Sequence, residues 1–199
     1  MKIAVYGATG AIGGAIAEEA RARGHEVTGI SRRGSDAPGQ LTGDALDADF
    51  TTAVAQKHDV IVSAIGPSRV SDDGTRFVDS IANLVDTLAD RRLVVVGGAG
   101  SLKVDGVRLV DSPDFPDAYK AESLKGAETL ALLREAPANV DWTYLSPAPV
   151  IAPGDRTGSY KVELETPAGD QISIADYAIA LVDEIEHPQH GRERFTVAN

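Results

Sequence analysis

The stretch Met1-Lys2-Ile3-Ala4-Val5-Tyr6-Gly7-Ala8-Thr9-Gly10-Ala11-Ile12-Gly13-Gly14 decides the reading of the chain. Lys2 to Tyr6 is a short run of strand character, with Ile3 and Val5 apolar. A glycine turn spaced G-x-x-G-x-x-G follows at Gly7, Gly10 and Gly13, and Ala15 to Arg23, rich in Ala, Glu and Arg, reads as helix. Strand, glycine turn and helix in direct succession form the corner that holds phosphates in dinucleotide-binding folds. Gly7 permits the tight turn, Gly10 lets the main chain approach a pyrophosphate, and Gly13 lets the helix pack close to the strand. The helix N-terminus, at Thr9 to Ile12, offers unpaired N–H groups and a partial positive charge to the phosphates. The competing reading of the same residues is a tight turn in an α/β domain that binds nothing.

At 199 residues, 43% of them hydrophobic and 25% charged, the chain suits one soluble globular domain with a real core. There is no run of about 18 apolar residues to cross a membrane, and no apolar leader precedes the first strand, so a cytoplasmic location is expected. The absence of cysteine excludes disulfides, thiolate metal sites and cysteine nucleophiles. The four histidines (His25, His58, His187, His190) lack metal-ligand spacing, so no metal is expected, and His187 and His190 read as a surface turn. A net charge of −11 and a pI of about 4.7 argue against nucleic acid or an anionic membrane as partner.

Strand patterns at 2–6, 26–31, 40–43, 59–64, 92–97, 140–145 and 193–198 alternate with helical patterns at 11–23, 46–57, 74–90, 120–136 and 174–186. Continuous apolar runs such as Val60-Ile61-Val62 and Leu93-Val94-Val95-Val96 suit strands covered on both faces. The expected fold is therefore α/β: a Rossmann-type, doubly wound parallel sheet in three layers and a single domain, with three strands on each side of a switch point and ligands beyond the carboxyl ends of the strands. The Pro- and Gly-rich segment 146–172 fits neither period and is expected to be an irregular lid or substrate loop. Helices 74–90 and 120–136 offer faces for a homodimer but suit a monomer equally.

The end of the second strand carries chemistry. NAD-specific folds place an acid there for the ribose 2′-hydroxyl; this chain has Ser31-Arg32-Arg33. Guanidinium groups grip a phosphate bidentately, so NADP is favoured over NAD, and Arg32 is the better candidate if only one arginine makes the contact. The alternative is a basic, solvated turn. Small residues at Ala64-Ile65-Gly66, after the fourth strand, leave room for the adenosine ribose. Asp44 or Asp47 is placed to cap the helix that follows the third strand.

The glycine corner, Asp117-Ala118-Tyr119-Lys120-Ala121-Glu122, Asp141-Trp142-Thr143-Tyr144-Leu145-Ser146-Pro147 and Ile172 to Ala178 together make the chain resemble, over nearly its whole length, the atypical short-chain dehydrogenase/reductases of the NAD(P)H-binding, NmrA-like group, which includes NADH-flavin reductases and biliverdin reductase B. The resemblance implies that Asp44 faces the adenine, that Ala64, Ile65 and Gly66 run along the cofactor, and that Pro147 lies near the nicotinamide. It also implies that Ser101, after Gly97-Gly98-Ala99-Gly100, occupies the substrate-orienting position. Tyr119 then stacks on an acceptor ring or covers the sheet edge, while Trp142, the only tryptophan, reads as core. The chain departs from the superfamily's Tyr-x-x-x-Lys acid: Tyr119 is followed by Ser123 where the lysine belongs. That puts ordinary ketone reduction in doubt and favours an acceptor that needs little enzyme acid. Two readings follow from the resemblance: an NADPH-preferring reductase that passes hydride to a flavin, quinone or similar conjugated acceptor, or a non-catalytic NADP(H)-binding redox sensor. An epimerase ranks behind both.

Overall fold

The computed structural model of the protein describes residues 1–33, 38–66 and 74–199. Its elements run β1 (Lys2–Tyr6), α1 (Ala11–Ala22), β2 (Glu26–Ser31), β3 (Gln40–Thr42), α2 (Ala48–Ala55), β4 (Val60–Ser63), α3 (Thr75–Thr87), β5 (Arg92–Val96), β6 (Lys103–Val104), β7 (Val107–Arg108), α4 (Asp117–Glu135), β8 (Trp142–Pro147), β9 (Val150–Ala152), β10 (Lys161–Glu163), β11 (Gln171–Ser173), α5 (Ile174–Glu186) and β12 (Glu193–Ala198). Eight strands form one sheet in the order β10-β12-β8-β5-β4-β1-β2-β3. Every pairing in it is parallel except β10 against β12.

The period-two rule divides the core into two halves. Ile3 and Val5 of β1, Val60 and Val62 of β4 and Val94 of β5 pack with Ile16 and Ala20 of α1 and Tyr177 and Leu181 of α5. The alternate residues, Ala4, Tyr6, Ile61, Leu93 and Val95, face Phe77, Ile81 and Leu84 of α3 and Leu130 and Leu133 of α4. The sheet is thus covered on both sides, as its uninterrupted apolar runs require. Trp142 is 2% exposed within the second half, a core residue.

The order reverses at β1 and β4, which pair with each other although β2 and β3 lie between them in sequence. The expected three strands stand on one side, as β1, β2 and β3, but the other side has five, β4, β5, β8, β12 and β10. The strand added to the seven sequence patterns, β10, comes from the segment expected to be irregular. Residues 146–172 contain the end of β8 and the strands β9, β10 and β11, with β9 and β11 paired parallel in a separate ribbon. Their anchors are distant in sequence. The Thr157 and Gly158 amides donate to Asp176, at 2.9 and 2.8 Å, and Arg156 pairs with Glu19 of α1 at 2.9 Å. The hairpin β6–β7 was also absent from the sequence pattern, and α4 begins at Asp117 rather than at 120.

A buried ion cluster ties α5 to β5 at the amino end of the sheet. Glu184 accepts from the Arg92 guanidinium at 2.5 Å and from the His190 amide at 3.0 Å, and meets His190 Nδ1 at 2.7 Å. His190 also stacks on Phe195, with ring centroids 4.1 Å apart, so it is a packed residue rather than a surface turn. Burial alone would raise the Glu184 carboxyl, but hydrogen bonds from His190, Arg92 and the Gln189 amide outweigh it and hold the pKa below the usual glutamate value. A carboxyl whose folded pKa is lowered stabilises the fold above its unfolded pKa of about 4.3, and that stability is lost as pH falls through the folded value. Denaturant titrations from neutral to acid pH are expected to show Glu184→Gln less stable than wild type at pH 7 and less sensitive to acid below about pH 4.5. An unchanged acid limb in the variant would contradict this.

Candidate nucleotide-binding cleft

The glycine turn joins β1 to α1 at the point where the strand order reverses. Gly7 has φ +81°, and a Cβ on it would lie 2.6 Å from the Ala64 carbonyl oxygen. A Cβ on Gly13 would lie 2.3 Å from the Gly7 carbonyl oxygen, closer than any side chain permits. Only glycine at both positions lets the helix start press against the ends of β1 and β4. Gly10 is the N-cap of α1; no side chain caps the helix and its first turn holds no acid. The leading amides and the positive end of the dipole are therefore left to a ligand anion.

In front of this turn opens a cavity of about 310 Å³. Gly7, Thr9 and Gly10 line it from the turn, Ser31, Arg32 and Arg33 from the end of β2, Asp44 from the segment after β3, and Ala64, Ile65 and Gly66 from the end of β4. Ten residues expected at a cofactor thus share one cleft. Its far wall comes from residues that the sequence reading passed over: Tyr6, Ile30, Gly43 and Ala45, with Arg76, Phe77 and Ser80 of α3. Arg76 donates to Asp44 Oδ2, while the Leu46 amide donates to Oδ1 at 3.1 Å. Asp44 therefore faces the cleft, and Asp47 caps α2 by accepting from the Phe50 amide at 3.0 Å. Arg32 and Arg33 are exposed, and neither forms an ion pair among the described residues. Two buried hydroxyls on the cleft wall, Tyr6 Oη and Ser31 Oγ, have no hydrogen-bond partner among those residues. A second depression, of about 590 Å³, lies at the opposite end of β1 around Met1, Lys2, His58 and Arg91, away from the glycine turn.

The remaining expected site residues do not line the cleft. Ala11, Ile12 and Gly13 form the first turn of α1 behind it. Pro147 ends β8, buried and paired in register with Val197. Ser101 is 7% exposed, and its hydroxyl accepts from Arg194 at 3.3 Å. Arg194 is itself held by Glu165 at 2.6 Å, so Ser101 is engaged within the fold. Tyr119 is 49% exposed in the first turn of α4. Two of the glycines after β5 are packing residues: a Cβ on Gly97 would meet the Tyr144 ring at 2.1 Å, and one on Gly100 would meet Ser123 Cβ at 2.5 Å. Ser123, where a proton-relay lysine would stand, is fitted against the backbone of Gly100. The Tyr144 hydroxyl donates to the Gly126 carbonyl at 3.0 Å and accepts from the Gly98 amide at 3.1 Å, and burial pushes its pKa up to about 12.

A parallel sheet with a phosphate-binding turn at its switch point and a cationic cleft beyond the strand ends defines a nucleotide-binding α/β protein of the Rossmann type. The chain belongs to the NAD(P)H-binding family, whose model matches residues 7–188. It is 40% identical to the uncharacterized protein YwnB of Bacillus subtilis strain 168, across all of this chain and 99% of that one. It is 38% identical to SP1627 of Streptococcus pneumoniae TIGR4, described as a putative NADH-flavin reductase, with a TM-score of 0.90 over 100% of this chain and 99% of that one. ChuY of Escherichia coli O157:H7, an anaerobillin reductase, shares the fold at 18% identity, with a TM-score of 0.77 over 100% of this chain and 97% of that one. The family supports a nicotinamide dinucleotide as the cofactor. Among the described residues no helix is long and apolar enough to cross a membrane, and no group of three or more His, Asp or Glu is arranged to hold a metal ion.

Two glycines side by side test the turn. Gly13→Ala is expected to lower stability by about 1–3 kcal/mol through overpacking. For Gly14→Ala the nearest atom, the Ala8 carbonyl oxygen, is an ordinary 3.4 Å away; it is expected to be neutral or to add up to about 1 kcal/mol of helix propensity. Chemical denaturation measures both, and equal effects would contradict the close approach.

Proposed function

We propose that the protein is an NADPH-preferring reductase that passes hydride to a flat conjugated acceptor such as a flavin or quinone. The observation that carries the cofactor choice is the end of β2, where Ser31, Arg32 and Arg33 line the cleft and arginines stand directly after the strand where an NAD-type acid would be. Asp44, facing them across the cleft, is paired with Arg76. Among the described residues the cleft thus offers three guanidinium groups against one carboxylate, in a chain of net charge −11. That balance suits a phosphate on the ribose better than a free 2′-hydroxyl. The unpartnered Ser31 hydroxyl beside the arginines supports the same fit.

The residues present fit a dinucleotide. The amides that open α1 would hold its pyrophosphate, Arg32 and Arg33 its 2′-phosphate, and Ala64 to Gly66 its adenosine ribose. When bound, the nicotinamide supplies the hydride. The protein's own part is to bind, orient and exclude water; orientation alone removes much of a bimolecular barrier. Ser123 rather than a lysine stands four residues after Tyr119, and Ser101 is spent on Arg194, so the proton that balances the hydride comes from solvent. This suits acceptors whose reduced form is stabilised by conjugation. The same two observations favour the second reading, a non-catalytic NADP(H) sensor. Under either reading the partner is a small molecule rather than nucleic acid or a membrane.

Consumption of NADPH, followed by its absorbance with FMN, riboflavin, a quinone or biliverdin as acceptor, is expected to show turnover with at least one of them. Arg32→Ala is expected to raise the KM for NADPH roughly ten- to a hundredfold, the worth of a charged hydrogen bond, and to leave that for NADH unchanged. Tight NADPH binding without turnover on any acceptor would sink the reductase reading in favour of the sensor.

A further inference from the structure

Tyr6 is the last residue of β1, immediately before the glycine turn, and is one of the residues that line the cleft. The side chain is 2% exposed and packs edge-on against Phe50, with centroids 6.5 Å apart. It cannot swing to solvent without opening the core between the sheet and α2. Its hydroxyl is buried and has no hydrogen-bond partner among the described residues. Leaving such a group unpaired costs more than replacing it by an apolar one of the same shape. A phenylalanine would satisfy every packing contact of this ring without that cost.

The surroundings narrow what the hydroxyl serves. Ile30, Ala45 and Phe77, all nearly fully buried, give the deep end of the cleft apolar walls. Of the other polar side chains there, Ser80 donates to the Arg76 carbonyl at 2.7 Å and Asp44 is engaged by Arg76 and the Leu46 amide. Among the described residues of the cleft, the Tyr6 hydroxyl and, beside the arginines, that of Ser31 keep their hydrogens unspent. Burial pushes the pKa of Tyr6 up, so the phenol remains a proton donor across the physiological range. Apolar walls flanking one committed donor match a flat heteroaromatic base with a ring nitrogen that accepts.

We propose that Tyr6 is a specificity-determining residue of the cleft, its hydroxyl donating to a ring nitrogen of the purine base seated against Ile30, Ala45 and Phe77. This rests on the reading that the cleft takes the adenosine half of a nicotinamide dinucleotide. The test is calorimetric titration of wild type and Tyr6→Phe with 2′,5′-ADP and with its 1-, 3- and 7-deaza analogues, beside thermal melts. Expected are a melting temperature at or above wild type and roughly tenfold weaker binding of 2′,5′-ADP by the variant. One deaza analogue is expected to bind wild type about tenfold more weakly than the parent, while the variant binds it as well as it binds the parent. Equal binding of 2′,5′-ADP by both proteins would overturn the assignment, as would deaza losses of the same size in both. A lower melting temperature with unchanged binding would also overturn it, by placing the hydroxyl in the fold's own hydrogen bonding. If wild type binds neither 2′,5′-ADP nor NADP(H), the functional reading itself falls.

Discussion

The close approach of the α1 N-terminus to the ends of β1 and β4 is the constraint on which the rest depends. The Gly7 carbonyl lies where a Cβ on Gly13 would be, and the Ala64 carbonyl where one on Gly7 would be. Three elements therefore meet with no side chain between them. The contact fixes where the sheet reverses direction, which puts the positive end of α1 beyond the strand ends. It also leaves a gap between the end of β2 and the start of α3, because no side chain from the turn fills it. The cleft is the space created by that glycine contact.

Charge then gives the space its character. Several acids and bases of this acidic chain pair into structural networks. Arg23 holds Asp183 and Glu186, Arg156 holds Glu19, Arg92 holds Glu184, and Arg194 holds Glu165. These pairs fasten α5 and the 146–172 segment to the sheet and to α1. Arg32 and Arg33 take no part in them, and Arg76 engages only a carboxylate that itself lines the cleft. Arg32 and Arg33, unspent on ion pairs among the described residues, thus bring positive charge to where a phosphate would sit. The segment after β5 is different: Tyr144 and Arg194 hold Gly97 to Ser101 by packing and hydrogen bonds.

What could be read from the sequence follows the range of the forces involved. The apolar runs and the glycine spacing are local signals, so the central strands, all five helices and the phosphate corner were legible, as were ten residues that line the cleft. Strands β9, β10 and β11 are three residues each and depend on partners such as Asp176, Asn199 and Thr196, too far along the chain for any window of pattern to show. Ser101 looked available because Arg194, which occupies it, lies on the last strand. Arg76 and Phe77 were invisible as site residues because a helical pattern shows which face is apolar but not that its first turn borders a cleft. Tyr6 did carry a signal: a hydroxyl in an otherwise apolar strand, next to the glycine turn.

The most direct measurement is a crystal structure of the protein grown with NADP⁺. The expected result is the dinucleotide with its pyrophosphate on the amides that open α1, its 2′-phosphate between Arg32 and Arg33, and its base against Tyr6 and Phe77. A dinucleotide bound elsewhere, or one whose 2′-phosphate points to solvent away from both arginines, would contradict the reading of the cleft.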